Sequence, residues 1–234
     1  MKPLISIVAS AIRIYHWESF YNSLKNNIIP FEVIFVGNIK PLFDLPSNFT
    51  WIYSNECPAK CYQIGFDKAQ GELINWTADD VEYNDGALDR AYSCYKVDDN
   101  PFKVVAFNCI ENGSLTSQGH TIMGKESPLM SPIGLMNREL LISLGGYDKN
   151  FYCGQSENDL VMRVYEKGGH IEICKDAIVN IEHDKKHGKY SIFREGYGFP
   201  YHRRDRNYLE SCWVKPDGSI SQIRLKPFEP FIER

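Results

Sequence analysis

The chain is predicted to be an α/β domain with a mostly parallel central sheet flanked by helices. Three observations predict this. The first hundred residues alternate apolar strands with helical stripes, the order that produces parallel sheets with crossover helices. The strands are near-continuous apolar runs, as expected of strands covered on both faces. One of them, Leu73 to Thr77, leads into two adjacent carboxylates, Asp79 and Asp80, at the strand end where open α/β sheets bind their ligands. Neighbouring like charges repel, so a cation is expected beside them. A divalent metal holding a phosphate is the usual answer.

Leu4-Ile5-Ser6-Ile7-Val8 reads as the first strand. Trp17, Phe20, Tyr21 and Leu24 recur at i, i+3, i+4 and i+7, one helical face. Phe31 to Val36 is a second strand, closed by Gly37-Asn38, and Trp51-Ile52-Tyr53 a short third. Cys61, Ile64, Gly65 and Ala69 form another helical stripe, with Gly71 as its C-cap. After the fourth strand, Val81 to Asn84 reads as a loop. Asp85 is the expected N-cap of a helix from Gly86 to Lys96.

The second half is less regular. Val104 to Phe107 is a strand. Glu111 to Pro132, rich in Gly, Ser, Thr and Pro, reads as a long loop, a common form for a substrate lid. Ile133 to Met136 is a strand, and Arg138 to Leu144 a helix ending at Gly145-Gly146. Leu160, Val161, Val164 and Tyr165 give a helix from Glu157 to Glu166 its apolar face. Ile171 to Cys174 and Ala177 to Ile181 are short strands. Lys215-Pro216-Asp217-Gly218 is a turn signal between Cys212-Trp213-Val214 and Ile220 to Leu225.

Composition narrows the function. With 234 residues, 43% hydrophobic, the chain fits one large domain with an ample core. A net charge of −4 offers no basic face for nucleic acid. Thirteen phenylalanines, fourteen tyrosines and four tryptophans suit core packing first and stacking on sugars or bases second. The seven cysteines include no C-x-x-C pair, which argues against a zinc ribbon. Scattered free thiols fit a reducing compartment, so a cytoplasmic location is expected. Ala9-Ser10-Ala11 looks like a signal-peptidase site, but the apolar stretch before it is too short for a leader. No run of roughly 18 apolar residues predicts a membrane span.

Five stretches, taken in order, resemble the family 2 glycosyltransferases of the GT-A fold. They are Ile5-Ser6-Ile7-Val8, the strand Phe31 to Asn38, the stretch Ile64 to Glu72, Thr77-Ala78-Asp79-Asp80 at the place of the DxD motif, and Gly145-Gly146-Tyr147-Asp148 followed by Ser156-Glu157-Asn158-Asp159-Leu160. The resemblance covers roughly 180 residues and is specific through order and spacing rather than through any one motif. It implies a single GT-A domain over 1–234. Residues 1–100 would form the nucleotide-sugar donor half, 101–190 the acceptor half and 191–234 a C-terminal extension. It also implies transfer of a sugar from a nucleotide-diphosphate sugar, with UDP-sugars favoured, to a glycan or other hydroxyl acceptor. Mn²⁺ or Mg²⁺ would stabilise the leaving diphosphate.

The resemblance assigns roles residue by residue. Asp80 is the first choice for direct metal ligation, because Ala78 stands where the motif usually begins. Asp79 would meet the ribose or a metal-bound water. Ser10, Asn38 and Tyr62 would line the nucleotide, Tyr62 replacing a usual arginine. Glu157 aligns with the base that deprotonates the acceptor in inverting members. His183 stands where a late histidine could join the metal, with His187 four residues on. Arg203-Arg204-Asp205-Arg206 could fold over the diphosphate.

Each assignment has a structural rival. The aspartate pair could cap its loop. Ser156 could be an N-cap, Asp159 could complete a Ser-x-x-Asp capping box, and Glu157 could face the helix dipole. His183 could be an exposed loop histidine, and the arginine run a solvated surface. A nucleotidyltransferase would need a Gly-rich loop after the first strand, where Ala9 to Ile14 holds no glycine. No G-x-G-x-x-G or G-x-S-x-G supports a dehydrogenase or a hydrolase. A retaining transferase and a non-catalytic nucleotide-sugar binding protein remain as alternatives.

Overall fold

A computed structural model describes residues 2–98, 100–115, 119–122, 125–181 and 199–231. In chain order its elements are β1 (Ile5–Ser10), α1 (Trp17–Leu24), β2 (Phe31–Gly37), β3 (Phe49–Tyr53), α2 (Pro58–Lys68), β4 (Leu73–Trp76), β5 (Val81–Tyr83), α3 (Ala87–Tyr95) and β6 (Lys103–Glu111). They continue with β7 (Ser114–Leu115), β8 (Gly119–Ile122), β9 (Lys125–Leu129), β10 (Gly134–Asn137), α4 (Arg138–Ser143), α5 (Ser156–Glu166), β11 (His170–Ile181) and α6 (Phe199–Trp213).

The main sheet runs β3-β2-β1-β4-β10-β6-β11-β5. β1 to β4 are mutually parallel along β3-β2-β1-β4. β10 is the inverted strand between β4 and β6, β11 runs parallel to β6, and β5 closes the far edge antiparallel to β11. Alternating side chains divide the core into two layers. Val8, Ile34, Ile74 and Val104 pack with Phe66, Leu141, Leu160 and Trp213 on one face. Ile7, Val33, Leu73 and Val105 pack with Trp17, Phe20, Leu88 and Ala91 on the other. Both layers are buried, so β1 reads as a near-continuous apolar run rather than an alternation.

Several local expectations change. Val81–Tyr83 is a strand rather than a loop, because β11 offers it an antiparallel partner. The two short strands expected over 171–181 are one strand with an irregularity between Cys174 and Ile178. The long loop expected from Glu111 to Pro132 contains the antiparallel strands β8 and β9. Residues 212–213 end a helix, and a single bridge between Val214 and Ile220 is what remains of the pairing expected across the Lys215–Gly218 turn. Tertiary packing overrides weak β-patterning there: Trp213 and Cys212 are fully buried against the sheet.

Two glycines have close-approach tasks. Gly71 does not cap α2, whose C-cap is Ala69. A Cβ on Gly71 would lie 2.7 Å from the Ser6 nitrogen, so glycine lets this chain reach β1. A Cβ on Gly37 would lie 1.9 Å from the Ala11 carbonyl oxygen. Only glycine lets β2 end beside the segment that leaves β1.

The cysteines also differ from expectation. Cys94 and Cys174 form a disulfide across 80 residues, joining α3 to β11. Their pairing was hidden because nothing in the local pattern shows that α3 lies against β11. Cys57, Cys61, Cys109, Cys153 and Cys212 form no disulfide. Among the described residues, no helix is long and apolar enough to cross a membrane.

Candidate active site

A cleft of about 290 Å³ opens at the carboxyl ends of β1, β2 and β4, with Ser10, Asn38, Tyr62, Asp79 and Asp80 in its wall. This is the position that parallel α/β sheets offer a ligand, since the strands end there and the connecting loops diverge. Arg13, Asn55, Glu56, Cys61 and Cys153 line it as well.

Asp79 is fully buried, and its carboxylate receives five donors: the amides of Ile12 (2.7 Å) and Arg13 (2.6 Å), the Trp17 indole (3.1 Å), and Nε (2.6 Å) and Nη2 (2.5 Å) of Arg13. It therefore anchors the turn between β1 and α1. Asp80, 7% exposed, pairs with Arg13 Nη1 at 2.8 Å. One guanidinium thus spans both carboxylates. Burial works against its charge, but Asp79 and then Asp80 outweigh burial and raise its pKa above the ordinary value. Among the described residues, Arg13 is a cation that pairs with both adjacent aspartates.

Tyr62 donates its hydroxyl to the Thr77 carbonyl at 2.6 Å. It fixes the backbone just ahead of the aspartates and presents its ring to the cleft. Burial pushes its pKa up, with the nearby Glu157 charge adding to the effect. Burial also pushes the Cys61 thiol up to about 11 and the Cys153 thiol up to about 12. Both thiols are protonated near neutral pH, which disfavours a nucleophilic or thiolate-ligand role.

Glu157 sits in the first turn of α5, just after Gln155, which adopts φ +67°. It stands beside the cleft wall rather than in it. Burial raises its carboxyl pKa, the Asp205 charge raises it further, and the amides of Glu157 and Gln155 pull it back only in part. A carboxylate held at raised pKa can accept a proton.

The other acidic residues of this half serve the fold. Asp159 is no capping-box residue. Its oxygens take the Arg163 Nε (2.9 Å), the Trp213 indole (2.9 Å) and the Arg224 Nε (3.0 Å). Arg224 reaches on to Asp148 at 2.5 Å. Asp205, on α6, accepts the amides of Tyr152 (3.0 Å), Cys153 (2.7 Å) and Gly154 (3.0 Å), which holds Cys153 at the cleft. Arg204 bonds the Asn150 carbonyl and Arg206 bonds Glu210, so these two arginines serve α6 and its neighbours.

His183 and His187 lie outside the described residues. Ile181, the last described residue of β11, lines the cleft. The donor set fits a hard divalent cation. Asp79 is committed to the β1–α1 turn, and Asp80 would supply the one carboxylate that Mg²⁺ or Mn²⁺ requires when phosphate oxygens complete the shell. Sequence reasoning missed Arg13, Cys153, Asp205 and Arg224. Only Arg13 carried a signal: a basic residue just past the end of a parallel strand beside the one that bears the aspartates.

No family model and no curated protein matches the chain. Solved structures do. S. aureus TarS 1–349 in complex with UDP-GlcNAc superposes with a TM-score of 0.63 at 15% identity, covering 82% of this chain and 61% of that one. The mannosyltransferase PcManGT from Pyrobaculum calidifontis in complex with GDP-Man and Mn²⁺ gives 0.60 at 15%, covering 90% and 70%. GalNAc-T7 with UDP, GalNAc and Mn²⁺ gives 0.65 at 12%, covering 91% and 48%. The chain spans about 60% of the TarS 1–349 chain. Its architecture, with the inverted β10 set into a parallel sheet and a carboxylate pair after β4, is the GT-A fold of these glycosyltransferases.

Proposed function

We propose that this chain is a metal-dependent glycosyltransferase that moves a sugar from a nucleotide-diphosphate sugar to a hydroxyl acceptor with inversion. The observation that carries the reading is the cleft at the ends of β1, β2 and β4, with a buried carboxylate pair in its wall and a raised-pKa carboxylate beside it.

Asn38, at the end of β2, offers an amide to a base edge, and Ser10 a hydroxyl to the nucleotide. UDP-sugars are the favoured donors, a preference supported by the UDP complexes of TarS and GalNAc-T7. Asp80 would hold Mn²⁺ or Mg²⁺, which supplies charge stabilisation for the leaving diphosphate. Asp79 keeps the β1–α1 turn and Arg13 in place. Glu157 takes the proton of the acceptor hydroxyl as that oxygen bonds the anomeric carbon, while the bond from that carbon to the phosphate oxygen breaks and its electron pair leaves with the nucleoside diphosphate. Such a base contributes about 10²–10⁴-fold.

The test is a thermal-shift panel of UDP-, GDP- and other nucleotide sugars, with and without Mn²⁺. A donor that prefers the native state raises its melting point. The expected result is a metal-dependent shift with a UDP-sugar. No shift with any nucleotide sugar overturns the reading. Proton NMR of the product anomer then checks inversion; a retained configuration removes Glu157 from the base role.

A further inference from the structure

The guanidinium of Arg13 occupies the place beside Asp80 where a divalent cation would bind. Its Nε and Nη2 are held by Asp79 at 2.6 and 2.5 Å, and its Nη1 by Asp80 at 2.8 Å. Asp79 is fully buried, whereas the Arg13 side chain is 36% exposed in the wall of the cleft. The two contacts therefore differ in kind. The Asp79 contact belongs to a network that also ties down the Ile12 and Arg13 amides and the Trp17 indole. The Asp80 contact is made by the remaining nitrogen, Nη1, in the wall of the cleft.

Charge accounting separates two cases. Asp79, Asp80 and Arg13 together carry one net negative charge. A divalent cation arriving alone must share Asp80 with a neighbouring guanidinium, which stays charged at any physiological pH. It would meet a like charge within a few ångströms and strand the Nη1 donor. A diphosphate arriving with the cation brings oxygen acceptors for that donor, and its negative charge offsets the added positive charge. Arginine forks match phosphate oxygens well.

We propose that Arg13 is a resident counter-cation that a divalent metal displaces from Asp80, and that its released Nη1 edge then grips the donor diphosphate, so that metal and nucleotide bind cooperatively. This rests on the glycosyltransferase reading of the same cleft. It assigns Arg13 two linked tasks: it keeps bare metal off the aspartate pair, and it clamps the diphosphate once both arrive. Coupling of this kind is reciprocal, so each ligand tightens the other by the same factor.

The experiment is calorimetric titration of the intact chain with Mn²⁺ alone, UDP alone, and each in the presence of the other. In the parent protein, UDP tightens Mn²⁺ binding by at least about fivefold, and Mn²⁺ tightens UDP equally. In Arg13→Ala, Mn²⁺ alone binds more tightly than to the parent, UDP with Mn²⁺ binds more weakly, and the coupling shrinks. Arg13→Lys keeps the charge without the fork: bare Mn²⁺ stays weak while UDP affinity falls. Should Arg13→Ala fail to fold, the parent coupling and the lysine variant still decide. Independent binding of Mn²⁺ and UDP to the parent overturns the proposal. So does unchanged Mn²⁺ affinity in a folded Arg13→Ala. In either event, metal-dependent binding of UDP would leave the glycosyltransferase reading standing. If neither UDP nor GDP binds under any condition, both fall together.

Discussion

The first hundred residues and the rest of the chain each hold buried carboxylates beside arginines, yet they use them differently. In the first, Asp79 and Asp80 share Arg13, whose side chain reaches the cleft. In the second, Asp148 and Asp159 share Arg224, only 5% exposed, which further bonds the carbonyls of Lys226 (2.8 Å) and Pro227 (2.5 Å). The first arrangement borders the cleft and the second is enclosed by protein. A carboxylate surrounded by protein donors stabilises the fold, and one whose partner borders solvent can exchange that partner for a ligand. This explains why the acidic motif at 156–160 divides. Asp159 bonds Trp213 and Arg224 of the C-terminal extension, and Glu157, two residues earlier in the same turn, lies on another side of the helix, where under the proposed function it serves as the base.

The largest expected effect breaks the protein-facing arrangement. Arg224→Ala leaves Asp148 and Asp159 buried without their shared cation. Removing one partner of a buried pair costs about 3–5 kcal/mol, and the low end applies because Arg163, Asn150 and Trp213 still donate. Urea unfolding measures it; a midpoint equal to the parent's would show that the extension is only loosely joined.

Next comes the base. Glu157→Gln is expected to slow transfer by about 10²–10⁴-fold while UDP-sugar affinity stays close to the parent value. The pH profile sharpens the point. Since burial raises this carboxyl, the parent rate climbs with pH through a value above the ordinary glutamate range. Stability moves oppositely. A group with raised folded pKa contributes stability in full below its unfolded pKa and loses it as pH rises through the folded pKa. Glu157→Gln removes both trends, and a variant retaining the acid limb of the rate profile locates the base elsewhere.

Asp80→Ala removes the cleft-facing carboxylate, and turnover falls by about 10²–10³-fold, as for loss of one preorganised charge stabiliser. Unlike Glu157→Gln, it also abolishes the dependence of UDP affinity on Mn²⁺. Calorimetry that finds this dependence unchanged removes Asp80 from the metal. The smallest effect tests the opposite extreme. Arg206, 57% exposed, pairs with Glu210 along α6, and Arg206→Ala shifts stability by no more than about 0.5 kcal/mol. A larger shift would mean that α6 depends on its surface charges rather than on its buried face.

Much of the first hundred residues was legible because their signals are local. The period of apolar residues marked β1, α1, β2 and α2, and the aspartates after Trp76-Thr77-Ala78 marked the ligand end of β4. The second half was read less well for the same reason. β5 exists because β11 pairs with it, and α6 runs to Trp213 because Asp159 and the sheet receive that side chain. Neither partner is near in sequence.

The amino-acid order alone determined the layered α/β architecture and the position of a carboxylate pair at a strand end. Hydrophobic periodicity and strand polarity are properties of short stretches. Tertiary structure alone decided which cation each carboxylate holds, because Arg13 lies 66 residues from Asp79 and Arg224 lies 65 from Asp159. Charges that far apart along the chain meet only when the sheet and its helices bring them together, and that meeting separates an aspartate in a cleft wall from one enclosed in the fold.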